Sequence, residues 1–87
     1  GAYSYLGECR RAIGYYEQQL AIVREIGDRR GESNALWNLS LALDEIGNRA
    51  EAVKNAEASL EIREQVDDPL AEKVREKLAE WKAKSQK

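Results

Sequence analysis

Chemistry in this 87-residue chain would have to come from one thiol, sixteen aspartates and glutamates, and a glycine–asparagine turn, because the sequence contains no histidine. Cys9 is the lone cysteine. It has no partner for an internal disulfide, and without imidazole the usual zinc constellations are absent. Losing histidine also removes the commonest general base, which excludes a hydrolytic triad of the familiar kind. None of the carboxylates stands in an apolar run that would tune its proton affinity. "EIGNRAEAV", Glu45 to Val53, has the Gly47–Asn48 pair that could open a phosphate cradle. It lacks the flanking glycines, the lysine and the preceding strand that a cradle needs. The expectation is a non-enzymatic chain with no metal and no cofactor, in which Cys9 acts as a small apolar side chain.

Net charge narrows the partners. Fourteen Lys and Arg against sixteen Asp and Glu give −2, with the signs interspersed as on solvated helix faces. A polyphosphate or an anionic membrane is a poor match for that balance. The basic C-terminal run, Lys73, Arg75, Lys77, Lys82, Lys84 and Lys87, shares its helix with glutamates and has only Trp81 to stack on a base, so nucleic-acid binding is not expected. No apolar stretch approaches bilayer length and no signal-peptide pattern opens the chain, which sets a cytoplasmic expectation with no membrane partner. The length suits one small domain of modest stability. A leading glycine in place of methionine fits a processed terminus, a tag remnant or an excised piece of something larger.

The elements that must position any site are helices. Ile13, Tyr16, Leu20 and Val23 recur at three or four residues, as do Ala52 or Val53, Ala56 and Leu60, and Val74, Leu78 and Trp81. No useful stretch alternates with period two. Capping chemistry marks the boundaries: Gly47 closes one helix and Asn48 with Glu51 opens the next as a capping box, Gly27 with Asp28 marks another break, and Asp68–Pro69 opens the last helix. Gly7 is read as a further terminus, and Gly31 blurs the start of the helix after Asp28. The spacing predicts helices over 2–6, 8–26, 30–46, 49–66 and 69–84.

The chain also repeats itself. Ala2, Leu6, Gly7, Ala12, Ile13, Leu20 and Ile22 match Ala42, Ile46, Gly47, Ala52, Val53, Leu60 and Ile62, each 40 residues on. A helix pair recurring at that period indicates a solenoid, in which each unit hides its apolar face against its neighbours. Within it, "LWNLSLAL" resembles the tetratricopeptide repeat, whose signature is W-x2-L-G-x2-Y followed by A-x3-F. Leu36, Leu39, Ser40 and Leu43 take the first four places and Ala52 and Ala56 the last two, with Ala12 and Tyr16 in the preceding copy. The resemblance implies an all-α fold of antiparallel helix-turn-helix repeats stacked as a right-handed superhelix, here about five helices. A period of 40 rather than 34 resembles the long-repeat branch found in kinesin light chains, Pins-type adaptors and bacterial signalling proteins. Six extra residues would lengthen the second helix of each pair by roughly 9 Å. "EIGDRRGE" and "VDDPLAEKVREKLAEWK" look like the closing repeats of bacterial multidomain signalling proteins. On this reading 1–28 is a truncated repeat, 29–67 a complete one and 68–87 a capping helix, with Trp81 as its core anchor.

The resemblance further implies a protein-interaction module of scaffold or signalling type, whose first helices line a groove for a peptide or a partner helix. Carried over residue by residue, that face shows Asn34, Trp37, Asn38, Leu41, Asp44 and Glu45, with Tyr5 and Ser4 in the matching places of the partial copy. Asn38 precedes the signature leucine, where an amide can pair with a peptide backbone through both its donor and its acceptor. Trp37 offers apolar area to a ligand or packs against the truncated neighbour. Asp44 and Glu45 favour a basic or amide-rich ligand. An open first helix also makes self-association the alternative role, as a homo-oligomer through that edge.

Overall fold

The structure, a computed structural model, describes residues 2–85. Among the described residues the chain forms four helices and no strand: α1 (Ala2–Ile26), α2 (Arg29–Glu45), α3 (Arg49–Gln65) and α4 (Ala71–Ser85). The all-α helix-turn-helix fold expected from the periodicity is therefore present. Each helix packs on the next, with α2 between α1 and α3 and with α4 laid against α3.

Three turns of one design separate the helices. At each, a residue in the left-handed region follows the helix: Gly27 at φ 75°, Gly47 at φ 85° and Asp67 at φ 54°. The next amide then reaches back to close the helix end, Asp28 to Val23 O at 2.9 Å, Asn48 to Leu43 O at 2.9 Å and Asp68 to Arg63 O at 2.8 Å. The side chain of that same residue caps the segment after it. Asp28 accepts from the amide of Gly31, Asn48 from that of Glu51 and Asp68 from that of Leu70. The capping box expected at Asn48 is half formed, since its own amide is already engaged at Leu43 and the Glu51 carboxylate faces Lys54 instead. Gly31 belongs to the first turn of α2. An added Cβ there would meet the Asp28 carboxylate at 2.5 Å and Val23 at 2.9 Å, so glycine provides room for the cap.

Positions 7, 27, 47 and 67 are spaced by 20 residues, yet the first of them is no turn. α1 runs unbroken through Gly7, and this corrects the expected count of five helices to four. Gly27 and Gly47 are each followed by an aspartate or asparagine that caps the next helix, whereas Gly7 is followed by Glu8. Without that cap, glycine costs the helix about 1 kcal/mol and does not end it. Two smaller differences accompany it. Pro69 and Leu70 form a turn ahead of α4, which starts at Ala71, and α2 and α3 are both 17 residues long, so the added repeat length does not sit in the second helix alone.

Two apolar clusters hold the layers. Leu20 and Val23 of α1 meet Ala35, Leu36 and Leu39 of α2 and Ile62 of α3. On the other side of α3, Ala52 and Ala56 meet Val74, Leu78 and Trp81 of α4, with Trp37 and Leu41 packed against them. Trp81 is buried, as its place in the apolar stripe required. Ala56, which stands where the signature has an aromatic, leaves the space that Trp81 enters from α4. Ser33, Ser40 and Ser59 are fully buried, and small side chains at helix crossings permit that approach. Their hydroxyls are satisfied: Ser33 donates to Arg30 O, Ser40 to Trp37 O, and Ser59 across the interface to Ser33 O at 2.9 Å.

Asp67 holds by a side chain what Gly27 and Gly47 hold without one. Left-handed backbone strains an L-residue by up to about 1 kcal/mol at an aspartate, so Asp67→Gly is expected to raise the melting temperature by a few degrees. Differential scanning calorimetry checks it; an unchanged or lower value contradicts the assignment of strain at that turn.

Candidate functional site

At 100° per residue, Asn34, Trp37, Asn38, Leu41, Asp44 and Glu45 fall within about 120° of α2, so the structure gathers these six positions on one face. Tyr5 joins them, because its hydroxyl donates to the Glu45 carboxylate across 40 residues of sequence. The Ser4 side chain lies outside the described residues, as does Lys87 of the basic run.

Shared position does not mean shared availability. Trp37 is half-buried, its ring 6.4 Å from that of Trp81 at a 33° tilt, so it packs against α4 and not against the truncated neighbour. Leu41 is half-buried in the same cluster. Asp44 is bound to Arg49 at 2.6 Å, and Glu45 is engaged by Tyr5. The two acids expected to select a basic ligand are thus occupied within the chain. Asn34 accepts from the guanidinium of Arg63 at 3.1 Å. Only Asn38, of the seven, is both exposed and without a hydrogen bond or ion pair among the described residues. Its amide can still offer a donor and an acceptor together.

Electrostatics tie this face to its frame. Arg63 is a buried cation whose Nε donates to Ser59, whose Nη1 meets Asp68 at 2.9 Å and whose Nη2 meets Asn34. Burying a guanidinium is tolerable only with its donors filled, and here α2, α3 and the cap of α4 fill them. Its counterpart 40 residues earlier is Val23, an apolar residue. That exchange of valine for arginine was the signal by which sequence reasoning could have found the network. Above Trp81, Arg49 stands 5.4 Å and Lys77 5.8 Å from the ring. The Tyr5 hydroxyl is pushed up to about 12, chiefly by the bond it donates to Glu45, then by desolvation, and after that by the negative charge of Glu45.

Elsewhere the structure shows what spacing did not. Leu39 and Leu43, on the opposite face of α2, floor a cleft of about 470 Å³ between α1 and α3, rimmed by Glu17, Glu51 and Asn55. Within the basic run, Arg75 pairs with Glu64, Lys77 and Lys84 with Glu80, and Lys82 with Glu57. Cys9 is half-buried on α1.

A helix hairpin closed by paired turns, with small residues at its crossing and one polar face left open, is repeat architecture, and residues 1–65 match the tetratricopeptide repeat. The chain belongs to the tetratricopeptide repeat family. Members of this family are non-enzymatic repeats that mediate protein–protein interaction. Human G-protein-signaling modulator 1 is 45% identical over 51 residues, 59% of this chain. The match spans 8% of that protein, so it is similar to a small part of a much longer relative. Among the described residues of this tetratricopeptide chain, no helix is long and apolar enough to cross a membrane.

Two measurements test the frame. Arg63→Ala empties a buried site and leaves the half-buried Asp68 without its cation, and it is expected to lower stability in urea by about 2 kcal/mol; a loss near zero would show the network to be idle. Tyr5 holds its proton more tightly in the folded state than in the unfolded one. The stabilisation it supplies is therefore complete below the ordinary tyrosine range near 10 and is lost as pH rises toward about 12. Tyr5→Phe should remove the highest-pH component of the tyrosinate absorbance titration.

Proposed function

We propose that the chain is an interaction module that holds an extended peptide or a partner helix against α2, in a groove between the Trp37–Trp81 pair and the Tyr5–Glu45 contact. The observation that carries this reading is Asn38: exposed, and without a hydrogen bond or ion pair among the described residues, on the face of α2 that also carries Trp37 and Leu41. A side-chain amide there pairs with a peptide backbone and lends affinity without reading sequence. Trp37 and Leu41, half-covered by α4, supply apolar contact at the edge of the groove. With Asp44 and Glu45 already engaged, the ligand is held by its backbone and by apolar contact more than by positive charge.

The repeat division that goes with this reading takes residues 1–28 as an N-terminally truncated repeat, 29–67 as a complete one, and 68–87 as a C-terminal capping helix. The 40-residue period supports placement in the long-repeat branch, at the C-terminal end of an array in a larger cytoplasmic signalling or sensor protein. Similarity to part of a human G-protein-signaling modulator supports the signalling role. A bacterial parent rests on "EIGDRRGE" and the closing helix alone.

Peptides selected on the 87-residue chain from a random displayed library provide the probe. Removal of two amide hydrogen bonds at about 1 kcal/mol each predicts that Asn38→Ala binds the selected peptide at least about tenfold more weakly. Because Asn38 is exposed, the melting temperature should not move. Equal affinity in fluorescence anisotropy would refute the site while leaving the fold intact.

A further inference from the structure

The face of α2 opposite the candidate groove carries a second concavity, the cleft between α1 and α3. Leu20 of α1 and Leu39 and Leu43 of α2 form its apolar floor. Its volume of about 470 Å³ falls within the roughly 300–1,000 Å³ of small-ligand pockets. Both walls and the floor belong to helices that the structure describes throughout.

Polar groups on the rim are nearly all acceptors. Glu17, on the α1 wall, is exposed and has no hydrogen bond or ion pair among the described residues. Glu51, on the α3 wall, has Lys54 at 3.9 Å, and both of those side chains are exposed. Asn55 donates its amide to Glu51 O at 2.8 Å, so the group it has left over is an oxygen. Arg24, the one cation among the lining residues, is paired with Glu32 at 3.0 Å. The internal repeat shows what a carboxylate in the place of Glu17 takes. Glu57, 40 residues on, is paired with Lys82 of α4 at 2.9 Å. The residue 40 before Lys82 is Ala42, so α2 has no cation at that place to return to Glu17.

We propose that this cleft receives an arginine side chain of a partner protein, on a surface separate from the groove that carries Asn38. Leu20, Leu39 and Leu43 take the aliphatic stem, and Glu17 and Glu51 accept from the guanidinium head. Acceptors on both walls suit a planar fork of five N–H donors better than the point charge of an ammonium. A neutral or acidic segment laid here would strip water from Glu17 and Glu51 and return no counter-charge. On the other face of α2 Asp44 and Glu45 are already engaged, so the preference for a basic partner rests with this cleft.

The probe is N-acetyl-arginine amide, titrated at low salt between about 0.1 and about 50 mM into the isotope-labelled 87-residue chain and followed by amide chemical shifts. Amides of Leu20, Leu43 and Asn55 should shift along one saturating curve, while those of Trp37 and Asn38 stay in place. N-acetyl-citrulline amide, close in shape and uncharged, should bind severalfold more weakly. Glu17→Gln and Glu51→Gln should each weaken arginine binding about two- to fivefold, the effect of one exposed ion pair. Helical circular dichroism should not change in either variant, because both side chains are exposed. Absent or non-saturating shifts at the cleft, equal binding of the citrulline probe, or undiminished affinity in both variants overturns the proposal. Shifts confined to Trp37 and Asn38 would assign the cation to the α2 groove and overturn it as well. Binding of a library peptide in that groove is measured independently, so the two readings can fail separately.

Discussion

Burial of the Arg63 guanidinium is the interaction on which the arrangement of this chain depends. A cation removed from water must fill its donors, and each donor draws on a different element: Ser59 on α3 itself, Asn34 on α2, and Asp68 at the head of α4. Satisfying the charge therefore places α4. Once α4 lies where Asp68 can reach Arg63, Val74, Leu78 and Trp81 come down on Ala52 and Ala56, and the Trp81 ring meets Trp37. The edge of the candidate groove on α2 is set by a charge buried behind it.

Turn chemistry provides the second constraint. A left-handed residue followed by a capping side chain recurs at 27–28, 47–48 and 67–68, and each pair both ends one helix and opens the next segment. At 7–8 the glycine is present and the cap is missing, so α1 continues as one 25-residue helix. That continuity carries Tyr5 to Glu45, where it closes the far edge of the α2 face. It also means that residues 2–6 prolong α1 and do not fold back over Tyr15 and Ile22.

Much of the fold is legible in the chain because its determinants are local. Apolar periodicity, the cap residues Asp28, Asn48 and Asp68, and the 40-residue correspondence act between neighbours or within one face of a helix, where sequence distance and spatial distance agree. Gly7 misleads for a reason equally local: a glycine ends a helix here only together with the capping residue after it. For the site, the face of α2 is legible, since the helical period alone groups Asn34 through Glu45. Which of those groups remain available is not. Asp44, Glu45 and Asn34 are engaged by Arg49, Tyr5 and Arg63, and the last two of these partners lie 40 and 29 residues away.

Spacing and cap chemistry along the chain suffice to specify an all-helical repeat, the turns after Gly27 and Gly47, and Trp81 as a core residue, and the residues of "LWNLSLAL" add the resemblance to the tetratricopeptide repeat. Packing in three dimensions was needed to establish that α1 is unbroken, that Trp37 is half-covered by α4, that the acids on α2 are engaged, and that Asn38 stands open. These depend on which side chains meet across helices, and side chains that meet compete for the same donors, acceptors and apolar area. The amino-acid sequence names all the competitors, and the tertiary structure decides which of them keeps a free group for a partner.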